Sequence, residues 1–249
     1  MFAIPAPTPY DLKFSLLGIP VRVNPLFWVM AAALGWVTHD RFLILIWVGA
    51  VFVSILVHEF GHGLMAERLY HRRPSVTFYL MGGLCSFDGD DRSSWKQAAV
   101  LIMGPGAGFL LFGVTLAVGL AVFGIADIWP FGSIFIHKPP AWLIGLPDWL
   151  YVSILVAYDD LLWINLFWSL FNLLPIYPLD GGRLASVALT AHDRREGSAR
   201  TFILGILVAG GVAIYFATKE EYINAFFAAN LAFLNYQLLQ SAHNQRNDY

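Results

Sequence analysis

Cysteine is almost missing from this sequence, and charged side chains are scarce. The 249 residues include one cysteine, Cys85, which excludes an internal disulfide and a metal site built from cysteines alone. Charged residues make up 13% of the chain, compared with roughly 25% in soluble domains. The net charge of −2 gives no electrostatic reason to expect a nucleic-acid partner. Since 58% of the residues are hydrophobic and the mean hydropathy is +0.63, the composition favours a membrane protein.

Six apolar stretches are candidates for membrane spans. They are residues 23–38, 42–66, 98–126, 161–179, 201–218 and 222–242. Because these stretches are too long and too uniformly apolar for soluble core helices, they predict an all-α, polytopic membrane protein with about six transmembrane helices. No linker is long enough for a further folded domain of ordinary size. Residues 1–249 are therefore expected to form a single membrane-embedded domain.

The basic residues predict the orientation of these spans. With the amino terminus in the cytoplasm, twelve of the fifteen lysines and arginines fall on the cytoplasmic side. The three on the other side are Arg41, Lys138 and Lys219. This bias predicts an integral, multi-pass protein, of the cell membrane if prokaryotic, with both termini in the cytoplasm. A cleaved signal peptide is not expected, because the first apolar stretch starts late.

The sequence also predicts the structure of three further segments. The cytoplasmic connection 71–97 contains SVTFYLMGGLCSF, whose β-branched and aromatic residues predict a short β-like loop. Residues 127–160 are expected to form an external loop, in which Asp159 and Asp160 cap the start of the fourth span. GPGAG, residues 104–108, has the small-xxx-small spacing that lets helices pack closely. A direct role of this glycine motif in a site is the alternative.

The stretch LVHEFGHGL, residues 56–64, places three ionisable side chains inside the second span. His58 and His62 are four residues apart, so on a helix both imidazoles can reach one zinc ion, with Glu59 beside it as a base. The alternative is a chance match on a helix with two packing histidines, but it leaves three ionisable groups in lipid without a partner. The motif therefore predicts a hydrolytic Zn²⁺ site, in which Glu59 takes a proton from water and passes it to the leaving amine.

A catalytic zinc ion takes three protein ligands, so one ligand must come from elsewhere in the chain. The stretch FNLLPIYPLDGGR, residues 171–183, supplies Asp180. Pro175 and Pro178 break the helix before this aspartate, and the two glycines after it permit a sharp turn. In the predicted topology, Asp180 and the end of the span that bears His62 lie on the same, cytoplasmic side. The alternative is that Asp180 caps the following helix, by itself or in addition to binding metal.

HEFGH on a membrane helix, followed far downstream by NLLPIYPLDGG, resembles the site-2 protease family of intramembrane zinc metalloproteases. The similarity runs from about residue 18 to about residue 183. It implies that His58, His62 and Asp180 bind one zinc ion and that Glu59 is the general base. Because the chain shows neither a PDZ nor a CBS domain, a minimal form of the family is expected.

The same resemblance implies roles for two other parts of the chain. Asn172, eight residues before the aspartate, corresponds to an asparagine that helps to bind substrate or the oxyanion. A polar contact between helices is the alternative for this residue. Residues 76–87, with Met81–Gly82–Gly83, resemble the re-entrant β-like loop that holds substrate in the family.

A zinc hydrolase within a bilayer needs a substrate that reaches the same depth. The predicted function is a zinc-dependent intramembrane endopeptidase that cleaves transmembrane segments of membrane-anchored proteins, as in regulated intramembrane proteolysis. Its partners are then a membrane-anchored protein substrate and the lipid bilayer, and the sequence does not indicate an oligomeric state. Two alternatives are a non-catalytic membrane zinc carrier or sensor and a zinc peptidase that acts on lipidated or peripheral proteins. Glu59 argues against the carrier, which needs no base beside its metal.

Overall fold

The computed structural model describes residues 6–36, 42–80, 82–87, 93–123, 125–127, 133–135, 142, 145–193 and 196–247. Within these ranges the protein is mainly helical, with seven α-helices and two small sheets. The helices are α1 (Pro25–Trp36), α2 (Ile44–Tyr70), α3 (Ser94–Val118), α4 (Asp148–Asn172), α5 (Asp180–His192), α6 (Gly197–Thr218) and α7 (Tyr222–Asn247). A short π-helical segment, Gly119–Phe123, continues α3.

Four helices of the described chain are long and apolar enough to cross a membrane, namely α2, α3 with its π-helical extension, α4 and α6. Helix α1 is apolar but has only 12 residues. Helix α7 has 26 residues but falls outside the group of apolar candidates. The predicted architecture of apolar membrane helices with a small β-structure is therefore confirmed, whereas the number of six spans stays a prediction.

The start of helix α4 differs from the prediction. Helix α4 begins at Asp148, so the last part of the expected external loop 127–160 is helical. Asp159 and Asp160 lie in the middle of this helix, and their predicted role as caps at its start is wrong. The two charges interrupt the apolar run of the sequence, but the helix continues through them. Much of the remaining loop, residues 128–132, 136–141 and 143–144, lies outside the described residues.

A four-stranded sheet joins the amino-terminal residues to the predicted β-like loop. Its strands are β1 (Leu12–Leu16), β2 (Ile19–Val23), β3 (Ser75–Tyr79) and β4 (Gly82–Ser86), in that spatial order. Strands β3 and β4 form the hairpin expected for this loop, although Met81 lies outside the described residues. The sequence did not predict β1 and β2, which form an antiparallel pair in which β2 also pairs in parallel with β3. A second, two-stranded sheet contains β5 (Ile125–Asp127) and β6 (Ser133–Phe135).

Aromatic packing fixes the four-stranded sheet against helices α1 and α2. The ring of Phe78 on β3 lies 5.0 Å from the ring of Phe27 on α1 and 5.1 Å from that of Phe52 on α2. Phe78 is 0% exposed, and burying a side chain of this size contributes about 1.5–3 kcal/mol. The hairpin is therefore anchored beside the helix that carries the HEFGH motif.

The chain divides into two compact units. The first contains Met1–Asp90 and Met103–Ser169, and the second contains Asp91–Ile102 and Leu170–Tyr249. In the second unit, helices α6 and α7 pack against each other around a core that includes Ile176, Ala209 and Leu231. The expectation of a single membrane-embedded domain stays a prediction.

Candidate metal site

Helix α2 brings His58 and His62 together on one buried face. The two residues are 3% and 7% exposed, and their Nε2 atoms lie 3.2 Å apart. The ring centroids are 4.9 Å apart, with the ring planes at 80°. Because the residues are separated by one helical turn, their side chains project side by side. Two imidazole nitrogens that converge in this way fit the requirement for two ligands of one metal ion.

The side chain of Glu59, on helix α2, faces strand β4. The residue is 7% exposed, and a Cβ atom added to Gly83 would lie 2.7 Å from its Oε1 atom. Strand β4 therefore passes directly over the carboxylate, which is feasible because residue 83 has no side chain. Burial and, to a smaller extent, the charge of Glu59 raise the pKa of Cys85 on the same strand to about 12. This thiol therefore stays protonated at neutral pH when no metal is bound.

Glycines allow helices α2 and α3 to approach each other to backbone contact. A Cβ atom at Gly61 would lie 2.8 Å from the Cβ of Ala107 and would overlap the backbone of Met103. A Cβ atom at Gly104 would overlap the imidazole ring of His62, with its Cδ2 atom at 2.8 Å. The packing role predicted for the GPGAG motif is thus confirmed. In addition, one of its glycines shapes the wall against which a motif histidine lies.

We expect Gly104→Ala to weaken zinc binding, because the added methyl group must displace the His62 ring. Residues that only orient a ligand typically affect metal affinity by about 10- to 100-fold, and a similar loss is expected here. Competition with a chelator measures it. Gly106→Ala on the same helix is the matched control, since a Cβ there meets no described atom within 4 Å. Equal zinc affinity in both variants would show that residue 104 tolerates a side chain.

Buried polar residues outside the motif connect helices α2 and α4. Asn165 Nδ2 donates to Ser54 Oγ at 2.9 Å and to the carbonyl oxygen of Leu161 at 2.8 Å. Ser54 and Asn165 are 1% and 2% exposed. Sequence reasoning missed these residues, although polar side chains in otherwise apolar runs are a signal for contacts between membrane helices. Ser54 lies one helical turn before His58, so this contact fixes α4 beside the helix of the motif.

In the second unit, Asp180 is the first residue of helix α5 and is 8% exposed. The N-cap position is occupied by Leu179, which has an extended conformation with φ −60° and ψ 160°. The alternative that Asp180 is the N-cap is therefore wrong, and its carboxylate belongs to the first turn of the helix. Asn172, the last residue of α4, is also 8% exposed.

Gly181 and Gly182 do not form the sharp turn that the sequence predicted. Both residues lie inside helix α5. A Cβ atom at Gly182 would lie 2.5 Å from the carbonyl oxygen of Ile176, and one at Gly181 would lie at the same distance from that of Leu174. The glycines are needed because the first turn of α5 packs onto the backbone of the segment that precedes it.

The chemistry of the three predicted ligands fits a metal ion. His58, His62 and Asp180 are all buried, and each offers one ligand atom, an imidazole nitrogen or a carboxylate oxygen. Catalytic zinc accepts nitrogen and carboxylate ligands of these kinds. The first unit thus brings the two histidines and Glu59 together, and the second presents a buried aspartate at a helix start.

Comparisons with known proteins point to the same chemistry. The profile of peptidase family M50 matches residues 46–160 and 152–218. A Synechocystis protein, provisionally named a zinc metalloprotease, is 33% identical over 184 residues, which cover 68% of this chain and 41% of that protein. A Mycobacterium tuberculosis protein with a similar provisional name is 30% identical over 166 residues, covering 66% of this chain and 36% of that protein. The chain thus spans about two fifths of the length of these curated relatives.

A solved structure shows the same fold at low sequence identity. The site-2 protease from Methanocaldococcus jannaschii superimposes with a TM-score of 0.54 at 20% identity, over 92% of this chain and 95% of that one. The family profile covers more than half of the sequence, including the HEFGH motif and the aspartate that follows the proline-rich segment. On this evidence, the chain belongs to peptidase family M50.

Proposed function

We propose that the protein is a zinc-dependent endopeptidase that cleaves peptide bonds within the membrane. The observation that carries this proposal is the convergence of the His58 and His62 Nε2 atoms, 3.2 Å apart, beside the buried Glu59. These residues lie in a helix of 27 residues that is apolar enough to cross a bilayer. Membership of peptidase family M50 and the names of the relatives support the same chemistry.

Each site residue has a separate task in this proposal. His58, His62 and Asp180 hold a single zinc ion, which would polarise the scissile carbonyl and lower the pKa of the attacking water. Glu59 accepts the proton of that water and delivers it to the nitrogen of the leaving amine. Asn172 donates a hydrogen bond to the substrate or to the oxyanion that forms from the carbonyl.

The proposed substrate is a transmembrane segment of another, membrane-anchored protein. Such a segment must unwind locally, because a helix holds its carbonyl groups in hydrogen bonds. Strand β4 lies at the edge of its sheet, and an unwound chain can add to such an edge as a further strand. Since β4 passes over Glu59 at Gly83, a segment bound there is delivered beside the proposed base.

The proposed topology places both termini and the metal site on the cytoplasmic side of the bilayer. Cleavage near this face releases a cytoplasmic fragment, which is the output that regulated intramembrane proteolysis requires. Water also reaches a site at this depth more easily than one at the bilayer centre.

The function is tested with the full chain in liposomes that also contain a tagged, membrane-spanning peptide. We expect mass spectrometry to locate the cut inside the apolar segment. Cleavage should cease when a zinc chelator strips the protein and should return when zinc is restored. A substrate with a helix-breaking Gly-Pro pair in the segment should be cut faster than one with an unbroken leucine helix.

Three results would contradict the proposal. Cleavage that continues without metal would exclude a zinc mechanism. Cuts confined to a water-soluble or lipid-anchored peptide would favour the alternative of a zinc peptidase that acts on lipidated or peripheral proteins. Zinc uptake into the liposomes without any cleavage would identify a carrier.

A further inference from the structure

Helix α7 holds the segment that leads into Asp180. Asn235 on this helix donates from Nδ2 to the carbonyl oxygen of Tyr177 at 2.7 Å and to that of Leu231 at 2.8 Å. The residue is 0% exposed. Because both contacts are with carbonyl oxygens, they fix the orientation of the amide, since the flipped form would place oxygen against oxygen.

The other end of this amide is enclosed by helix α6. A Cβ atom at Gly205 would lie 2.7 Å from Asn235 Cγ and would overlap Oδ1. Oδ1 itself finds no hydrogen-bond donor in the described part of the chain. Leaving a buried amide oxygen in this state is unfavourable. The oxygen therefore does not explain why an asparagine is buried at this position. The hydrogen bond from its amide nitrogen to the Tyr177 carbonyl does.

Tyr177 lies three residues before Asp180, in a segment that other contacts hold as well. Ile176 is 1% exposed, and the ring of Tyr177 meets that of Phe202 at 5.7 Å. The backbone of Leu179 donates to the carbonyl oxygen of Ile176 at 2.8 Å. The amide of Asn235 joins this segment to helix α7. The carbonyl group of Tyr177 therefore has a fixed position relative to the α6–α7 pair.

We propose that Asn235 is a positioning residue of the zinc peptidase. By holding the Tyr177 carbonyl it fixes the backbone that enters helix α5, and with it the direction of the Asp180 carboxylate. The inference rests on the proposed function, in which Asp180 is a zinc ligand. Residues that orient metal ligands change metal affinity by about 10- to 100-fold when they are replaced.

Asn235→Ala in the full chain should lower zinc affinity by about 10- to 100-fold, measured by competition with chelators. Asn230→Ala is the matched control and should leave the affinity unchanged. Asn230 is exposed on the same helix and donates to Phe226 O at 2.8 Å, the same bond to the preceding turn. Peptide cleavage by Asn235→Ala should recover in excess zinc, which a variant with general structural damage would not show.

Two further variants test the donor without removing the side chain. Asn235→Asp keeps the shape but replaces the amide nitrogen with an acceptor, so the same loss of zinc affinity is expected. Gly205→Ala should displace the amide and lower the affinity in the natural chain, yet add little to Asn235→Ala. Folded Asn235→Ala and Asn235→Asp proteins that bind zinc as tightly as Asn230→Ala would overturn the inference.

Asp180→Ala separates this inference from the proposed function. If Asp180→Ala binds zinc as tightly as the natural chain, the proposed ligand set is wrong, whatever Asn235 does. If Asp180→Ala loses zinc and the Asn235 variants do not, only the positioning role is wrong.

Should neither Asn235 variant fold, hydrogen exchange in the natural protein decides. The amides of Leu179 and Arg183, which bond to Ile176 O and Leu179 O at 2.8 and 3.0 Å, should be equally protected with and without zinc. Rapid exchange in the metal-free protein would mean that the metal, and not Asn235, orders this segment.

Discussion

Glu59→Gln should abolish peptide cleavage and leave zinc binding unchanged. Glutamine keeps the size of the side chain and its place under strand β4, but it cannot accept the proton of the attacking water. General acid–base catalysis typically contributes roughly 10²- to 10⁴-fold to the rate, so any cleavage that remains should be slower than in the natural protein by that factor. Cleavage of a membrane-spanning peptide in liposomes, together with the zinc content of the purified protein, measures both effects.

Glu67→Gln is the matched control for this prediction. Glu67 lies on the same helix, two turns after Glu59, but its side chain is exposed. Its replacement should change neither cleavage nor zinc content. Full activity of Glu59→Gln would remove this residue from the mechanism. Loss of zinc from Glu59→Gln would instead assign Glu59 to metal binding.

The helices and the motif residues were predictable from the sequence because both depend on local patterns. A long apolar run requires a helix in lipid, and two histidines four residues apart on a helix must share a face. Helix ends were less predictable. The length of an apolar run reflects the thickness of the bilayer, whereas a helix ends where its backbone hydrogen bonds end. Helix α2 thus continues through Glu67 and Arg68 to Tyr70, four residues beyond the predicted span.

Contacts between distant segments could not be read from the sequence. The parallel pairing of Val21 with Val76 joins strands more than fifty residues apart, and no local pattern specifies such a register. The role of a glycine is equally hard to predict from the sequence, because it depends on the atom that the glycine faces. Gly104 faces an imidazole and Gly83 faces a carboxylate, whereas the sequence shows the same residue type at both positions.

Asp180→Ala should lower zinc affinity by more than the roughly 100-fold upper range for residues that only orient ligands. In the proposed site, removing the carboxylate leaves two imidazoles, whereas catalytic zinc sites use three protein ligands. The substitution also removes the negative charge that would compensate the cation there. Cleavage should disappear at ordinary zinc concentrations. Titration of the metal-free protein with zinc against chelators of graded affinity measures the loss.

Asp148→Ala separates the loss of a ligand from the loss of a helix-start charge. Like Asp180, Asp148 is the first residue of its helix, but it is exposed. A negative charge in the first turn stabilises a helix, by about 0.3–1 kcal/mol at an exposed position such as 148, so both variants lose a contribution of this kind. Only Asp180→Ala should lose zinc. If the two variants retain zinc equally, the third ligand lies elsewhere, and the proposed site contains the histidine pair without this aspartate.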